Sequence, residues 1–142
     1  MKTVLIISFL FIVKNFFGQI NAVQSSTPSG DTVTNSATEY LVFNVKDAGI
    51  STSFQASLNR LSGTAAGTLT MQCSLDGTYY VDCMLDTISS GINGIHTVTN
   101  VESQTFLWQI TPNIYRYYRV KYVGSGTMSV RIRGYSFNRK NF

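Results

Sequence analysis

Tyr117-Tyr118-Arg119-Val120-Lys121-Tyr122-Val123-Gly124-Ser125-Gly126-Thr127-Met128-Ser129-Val130-Arg131-Ile132-Arg133 decides how the rest of the chain is read. Polar and apolar side chains alternate on both sides of a Gly-Ser-Gly turn. Successive side chains of a strand point to opposite faces. Tyr118, Val120 and Tyr122 therefore share one face, and Tyr117, Arg119 and Lys121 share the other. Beyond the turn, Met128, Val130 and Ile132 fall together, opposite Ser129, Arg131 and Arg133. A helix would need a stripe of apolar residues recurring three and four apart, whereas here they recur chiefly two apart. The pattern predicts strands over residues 115–123 and 127–137, joined as a hairpin. Its apolar side belongs to a core. Its outer side is one basic, partly aromatic face carrying Arg116, Arg119, Lys121, Arg131 and Arg133.

The same period of two runs upstream. Residues 40–45 read as a strand, as do 52–61, with Phe54, Ala56 and Leu58 on one face. Residues 68–74 follow, with Leu69, Met71 and Cys73 together, then 79–85. Residues 102–111 turn Phe106, Trp108 and Ile110 inward. Turn chemistry separates them: residues 62–67, Asp76-Gly77, the long Gly-, Ser- and Thr-containing stretch 86–100, and Pro112-Asn113. About seven short strands at such spacing predict a single antiparallel β-sandwich, jelly-roll-like in connectivity. No internal repeat is present, and no helical stripe follows residue 20. Residues 21–38 are polar and turn-rich. The expected division is an apolar segment at 1–18, a polar arm at 19–38 and the all-β domain at 39–142.

Composition agrees. The chain has 142 residues, 44% hydrophobic and 13% charged, where a disordered chain would be less apolar and more charged. The net charge of +4 is unevenly placed. All seven acids and four basic residues lie within residues 1–112, and the other seven basic residues lie beyond them with no acid. A one-signed C-terminal part favours an anionic partner, or is a solvated sheet face.

At the N-terminus, Met1-Lys2 precedes an apolar run from Thr3 to Val13, closed by Lys14 and Asn15. The run is too short to span a bilayer. It suits the apolar part of a secretory signal. Phe16-Phe17-Gly18-Gln19 resembles the end of many Bacteroidetes signal peptides, whose cleavage leaves an N-terminal Gln. Two readings stay open: a cleaved signal, or a retained anchor touching lipid through residues 3–13.

Candidate chemistry is sparse. Cys73 and Cys83 could form one disulfide, as suits an exported protein. With Asp76-Gly77 as a two-residue loop, however, Cys73 would face Tyr80 across the hairpin. Two free, partly buried thiols are the favoured expectation. The pair has no neighbouring His or Cys and is no zinc signature. His96 is the sole histidine and reads as a surface residue of a loop. Asp82 and Asp86 would stand about 13 Å apart on an extended chain, beyond the roughly 5–10 Å that paired glycosidase carboxylates span. Asp76 reads as a turn residue. No phosphate loop, dinucleotide fingerprint or calcium loop occurs. The expectation is no enzyme, no metal and no cofactor. Residues 115–122 interleave Arg, Lys and Tyr as nucleic-acid binders do. Tyr118 and Tyr122 face the core, however, which leaves Tyr117 as the main stacking ring and makes nucleic acid a poor candidate. For a carbohydrate ligand, Tyr79, Tyr80 and the 86–100 loop are the candidates, whereas Trp108 belongs to the core.

Three segments carry a resemblance: Gly30-Asp31-Thr32-Val33-Thr34-Asn35, Ser74-Leu75-Asp76-Gly77-Thr78-Tyr79-Tyr80, and residues 115–127. Together they resemble small β-sandwich virion proteins of Bacteroidetes phages. The resemblance spans about residues 30–136 and implies a capsid decoration, spike or fibre subunit. Its partners would be other virion proteins or further copies of itself, without catalytic residues. The alternative expectation is an exported bacterial β-sandwich module that binds a glycan or a cell-surface ligand, and is secreted rather than carried in a virion.

Overall fold

Alternating strands with one apolar face are stable only when two such faces meet. The computed structural model describes residues 19–23, 31–45, 51–83 and 94–139 of the chain, and there the two faces do meet. The strands are β1 (Gln19–Val23), β2 (Asp31–Thr34), β3 (Thr38–Asn44), β4 (Ser51–Gly63), β5 (Gly67–Ser74), β6 (Val81–Asp82), β7 (Ile95–Val98), β8 (Ser103–Ile110), β9 (Tyr117–Gly124) and β10 (Met128–Arg139). The first sheet runs β1-β10-β4-β8, with β2 on the same edge of β10 as β1. The second runs β3-β9-β5-β6, with β7 also on β5. Every pairing is antiparallel.

This order is that of a jelly roll. Strands β2 to β5 run beside β10, β9, β8 and β7 as one long antiparallel ribbon. Rolling the ribbon then sets β10 against β4 and β9 against β5. Two expectations are corrected here. Strands β9 and β10 follow each other through Gly124-Ser125-Gly126 but do not pair; β9 lies between β3 and β5, and β10 lies beside β4. The turn is therefore a crossing between sheets, made where Ser125 donates its amide to the Ala66 carbonyl at 3.2 Å and Gly124 to that of Ala37 at 3.0 Å. The polar stretch expected to be an arm also supplies β1 and β2, so the sandwich begins before residue 39. The apolar segment 1–18, and with it the lipid contact expected of residues 3–13, lies outside the described residues.

The core follows the alternation. Leu41, Phe43, Leu69, Met71, Tyr118, Val120 and Tyr122 from the second sheet meet Phe54, Ala56, Leu58, Val130, Ile132 and Trp108 from the first, all buried. Phe54 packs edge-on to Phe43 at 5.0 Å and tilted against Tyr118 at 4.9 Å, which ties the two sheets together. Each such side chain contributes about 1.5–3 kcal/mol by leaving water. A buried tyrosine must also place its hydroxyl. The Tyr118 hydroxyl donates to Asn113 Oδ1 at 2.6 Å, and that of Tyr122 to the Ala66 carbonyl at 3.1 Å. Burial pushes both phenols up to about 12. Among the described residues no helix is long and apolar enough to cross a membrane.

At Gly134 the two sheets approach too closely for a side chain. A Cβ there would stand 2.9 Å from Phe43 Cζ and 3.0 Å from Leu41 Cδ1. The substitution Gly134→Val should destabilise the fold by about 1–3 kcal/mol through overpacking and lower Tm by several degrees in a thermal melt. An unchanged Tm would mean that β10 does not press on β3 in this way.

Candidate functional site

The outer face of the second sheet is built from three rows read across the strands. Tyr40 of β3 stands opposite Lys121 of β9, which stands opposite Thr70 of β5. The next row is Val42, Arg119, Gln72 and Asp82, and the third is Asn44, Tyr117 and Ser74. Neighbouring strands lie about 4.8 Å apart and alternate residues of one strand about 7 Å apart. The rows therefore form a continuous patch of rings, a cation pair and planar polar side chains.

Arg119 is its centre. Its guanidinium carbon lies 4.3 Å from the ring centroid of Tyr40, on the β3 side, and 4.0 Å from that of Tyr80, beyond β5. Its Nε donates to Gln72 Oε1 at 2.7 Å. Gln72 Nε2 in turn donates to Asp82 Oδ1 at 2.8 Å. Fixing an arginine side chain costs about 1.5–2 kcal/mol of rotamer entropy. Two cation–π contacts contribute about 0.5–1 kcal/mol each, and a hydrogen bond to a charged group about 1.5–3 kcal/mol. The attractions exceed the cost, so the guanidinium is positioned before anything binds. Repulsion from Lys121, about 7 Å along the strand, is only about 0.6 kcal/mol in water. Burial pushes the Tyr80 phenol up despite the facing guanidinium, so the ring stays neutral.

The β5–β6 loop places Tyr80 and Asp82. Ser74 Oγ and the amides of Thr78 and Tyr79 all donate to Asp76 Oδ1, at 2.8, 2.8 and 3.0 Å, and Gly77 donates its amide to Ser74 Oγ at 3.0 Å. Gly77 takes a φ of 77°, with the Tyr117 ring 3.3 Å from where a Cβ would sit. This turn is longer than the two-residue loop read from Asp76-Gly77. Cys73 pairs with Val81 rather than Tyr80, and Gln72 with Asp82. A shift of one residue exchanges the faces. It brings the Asp82 carboxylate onto the outer face, under Gln72. The clue in the sequence was Ser74 two residues ahead of Asp76, both side chains that compete for turn amides.

The other expected site residues separate. Arg119 and Lys121 share this face, and Arg116 lies exposed just ahead of β9, 5.5 Å from the Tyr117 ring. Arg131 and Arg133 sit on β10, opposite Asn59 and Ser57, on the outer face of the other sheet. The single basic face is thus divided between two opposite surfaces, because its two strands entered different sheets. Cys73 and Cys83 are both free and buried. Burial, with the adjacent Cys73 thiol second, pushes the Cys83 thiol up. His96 is in β7 rather than in a loop, half-buried with its ring 4.9 Å from Trp108 and 5.2 Å from Phe106. Asp86 lies outside the described residues, as does most of the 86–100 loop. Among the described residues no three His, Cys, Asp or Glu side chains gather where a metal could be held.

No family model matches the sequence, and a search of curated proteins finds no match. Solved structures that resemble the chain include a family 16 carbohydrate-binding module, 11% identical over 81% of this chain and 82% of that one, TM-score 0.45. A xylan-binding domain of carbohydrate-binding module family 22 is 13% identical over 88% and 83%, TM-score 0.46. A mitogen from Yersinia pseudotuberculosis is 9% identical over 88% and 90%, TM-score 0.47. A likeness this distant assigns no function.

The Asp76 turn carries a pH signature. The Thr78 amide first, then the Tyr79 amide and the Ser74 hydroxyl, hold its carboxyl below the usual carboxylate range. A lowered folded value means that the charged carboxylate stabilises the loop above the ordinary value of 3.8, and that this is lost as pH falls through the lower folded value. Asp76→Asn should therefore flatten the acid side of the stability profile, followed by thermal melts below pH 5. A profile identical to the unaltered chain would contradict the turn's role.

Proposed function

We propose that the chain is a glycan-binding β-sandwich module, and that sugar is held on the outer face of the β3-β9-β5-β6 sheet. One observation carries the reading: Arg119 fixed between the rings of Tyr40 and Tyr80 and bonded to Gln72. A sugar ring presents a C–H face to aromatic surface and hydroxyls at its rim. A ligand of that shape needs exposed rings beside rigid, forked donors and acceptors. Tyr40 remains 39% exposed and Tyr79, at the tip of the loop, 81% exposed. Rings lose little entropy on binding, and a donor already in place loses less still. Gln72 is a positioning residue: buried under the guanidinium, it fixes the angle at which Arg119 offers its remaining hydrogens.

Jelly rolls serve both in viral capsids and in lectin domains, so connectivity does not separate this reading from a virion subunit. The face does favour it. This patch is a set of preformed hydrogen-bonding groups between rings, which suits the hydroxyls and C–H faces of a sugar.

The test is affinity electrophoresis and calorimetry against a panel of plant, algal and bacterial polysaccharides. At least one should bind, and Tyr40→Ala or Tyr80→Ala should weaken it about tenfold or more, as loss of a contact of about 1.4 kcal/mol or more would. Arg131→Ala should leave it unchanged. Binding that survives both tyrosine changes, or fails only with Arg131→Ala, would place the site elsewhere.

A further inference from the structure

The charged groups on and near this face differ in which of them are already engaged in hydrogen bonds. Asp82 accepts from Gln72. Asp76 accepts three bonds from its own turn. Glu39, the residue before Tyr40 on β3, accepts from the Tyr40 amide at 3.2 Å. The acids near the face are thus each turned to an internal donor. The cations are not. Arg119 uses Nε on Gln72 and its flat surfaces on two rings, and its terminal Nη pair has no hydrogen-bond acceptor among the described residues. Lys121, directly beside Tyr40 on the same face, has none among them either. Both side chains are half-buried.

We infer that the ligand of this face is an acidic glycan, recognised through the carboxylate of a uronic acid residue. The inference rests on the glycan reading above and narrows it. With Nε turned to Gln72, the free edge of Arg119 is its Nη1–Nη2 fork. A planar fork matches a planar carboxylate with two parallel hydrogen bonds. Lys121 is a point charge about 7 Å further along β9 and meets the same or the next acidic sugar. The tyrosines hold the apolar face of the ring while the fork holds its acid.

The experiment is calorimetry of the full chain with four probes: polygalacturonate, the same polymer fully methyl-esterified, dextran sulfate and double-stranded DNA. Polygalacturonate should bind about tenfold or more tighter than its ester, the effect of one charge-assisted hydrogen bond. Arg119→Gln and Lys121→Gln should each shrink that ratio. Lys121→Gln keeps the test decisive if Arg119→Gln disturbs the stack. Equal binding of acid and ester would overturn the inference and leave the glycan reading standing. Tighter binding of dextran sulfate would overturn the choice of carboxylate. Binding of DNA with a steep salt dependence and of no polysaccharide would overturn both readings, as would binding of none of the four probes or of any glycan in the wider panel.

Discussion

Strand β9 can sit in only one register, and the rest of the structure depends on that. It is paired on both sides, with β3 and with β5, and its even-numbered residues Tyr118, Val120 and Tyr122 are wholly buried. A slip of one residue would drive Arg119 and Lys121 into the core and Tyr118 and Tyr122 into water. Burying an unpaired cation is prohibitive, so the alternation is enforced from both faces. The same pleat that closes the core thus stands Tyr117, Arg119 and Lys121 in a line outside it. Fold and candidate site are two consequences of one constraint.

The partners that complete the site come from far apart in the chain. Tyr40 arrives on β3, Gln72 on β5, and Tyr80 and Asp82 through the loop that Asp76 shapes. Rolling the ribbon is what brings β3 and β5 to either side of β9. Rigidity is inherited from this: Tyr40, Gln72, Arg119 and Lys121 stand on strands whose inner side is packed. An arginine stacked and bonded in this way is a better recognition element than a free one, because its ordering is complete before a ligand arrives.

The sequence showed much of this and misled in particular places. Period-two alternation was enough to assign the inner and outer residues of β4, β5, β9 and β10, because local geometry fixes it. Pairing is a long-range property, and alternation does not encode it. A Gly-Ser-Gly turn between two amphipathic strands looks the same whether the strands pair or cross to opposite sheets. Arg131 and Arg133 therefore read as one face with Arg119 and Lys121, although the sandwich lies between them. The polar stretch before residue 39 has weak strand propensity and reads as an arm; the open edge of β10 recruits it through backbone hydrogen bonds, which make no demand on side chains. The role of Asp82 was hidden by the turn, since one added residue in a hairpin loop reverses every face beyond it.

The most direct test of the central claim is an NMR titration of the labelled protein with a soluble oligosaccharide that it binds. The account predicts shifts confined to the amides and side chains of Tyr40, Gln72, Tyr80, Asp82, Arg119 and Lys121, with Arg131, Arg133 and the rest of the β10-β4-β8 outer face unmoved. Shifts centred on that opposite face, with Arg119 silent, would contradict it.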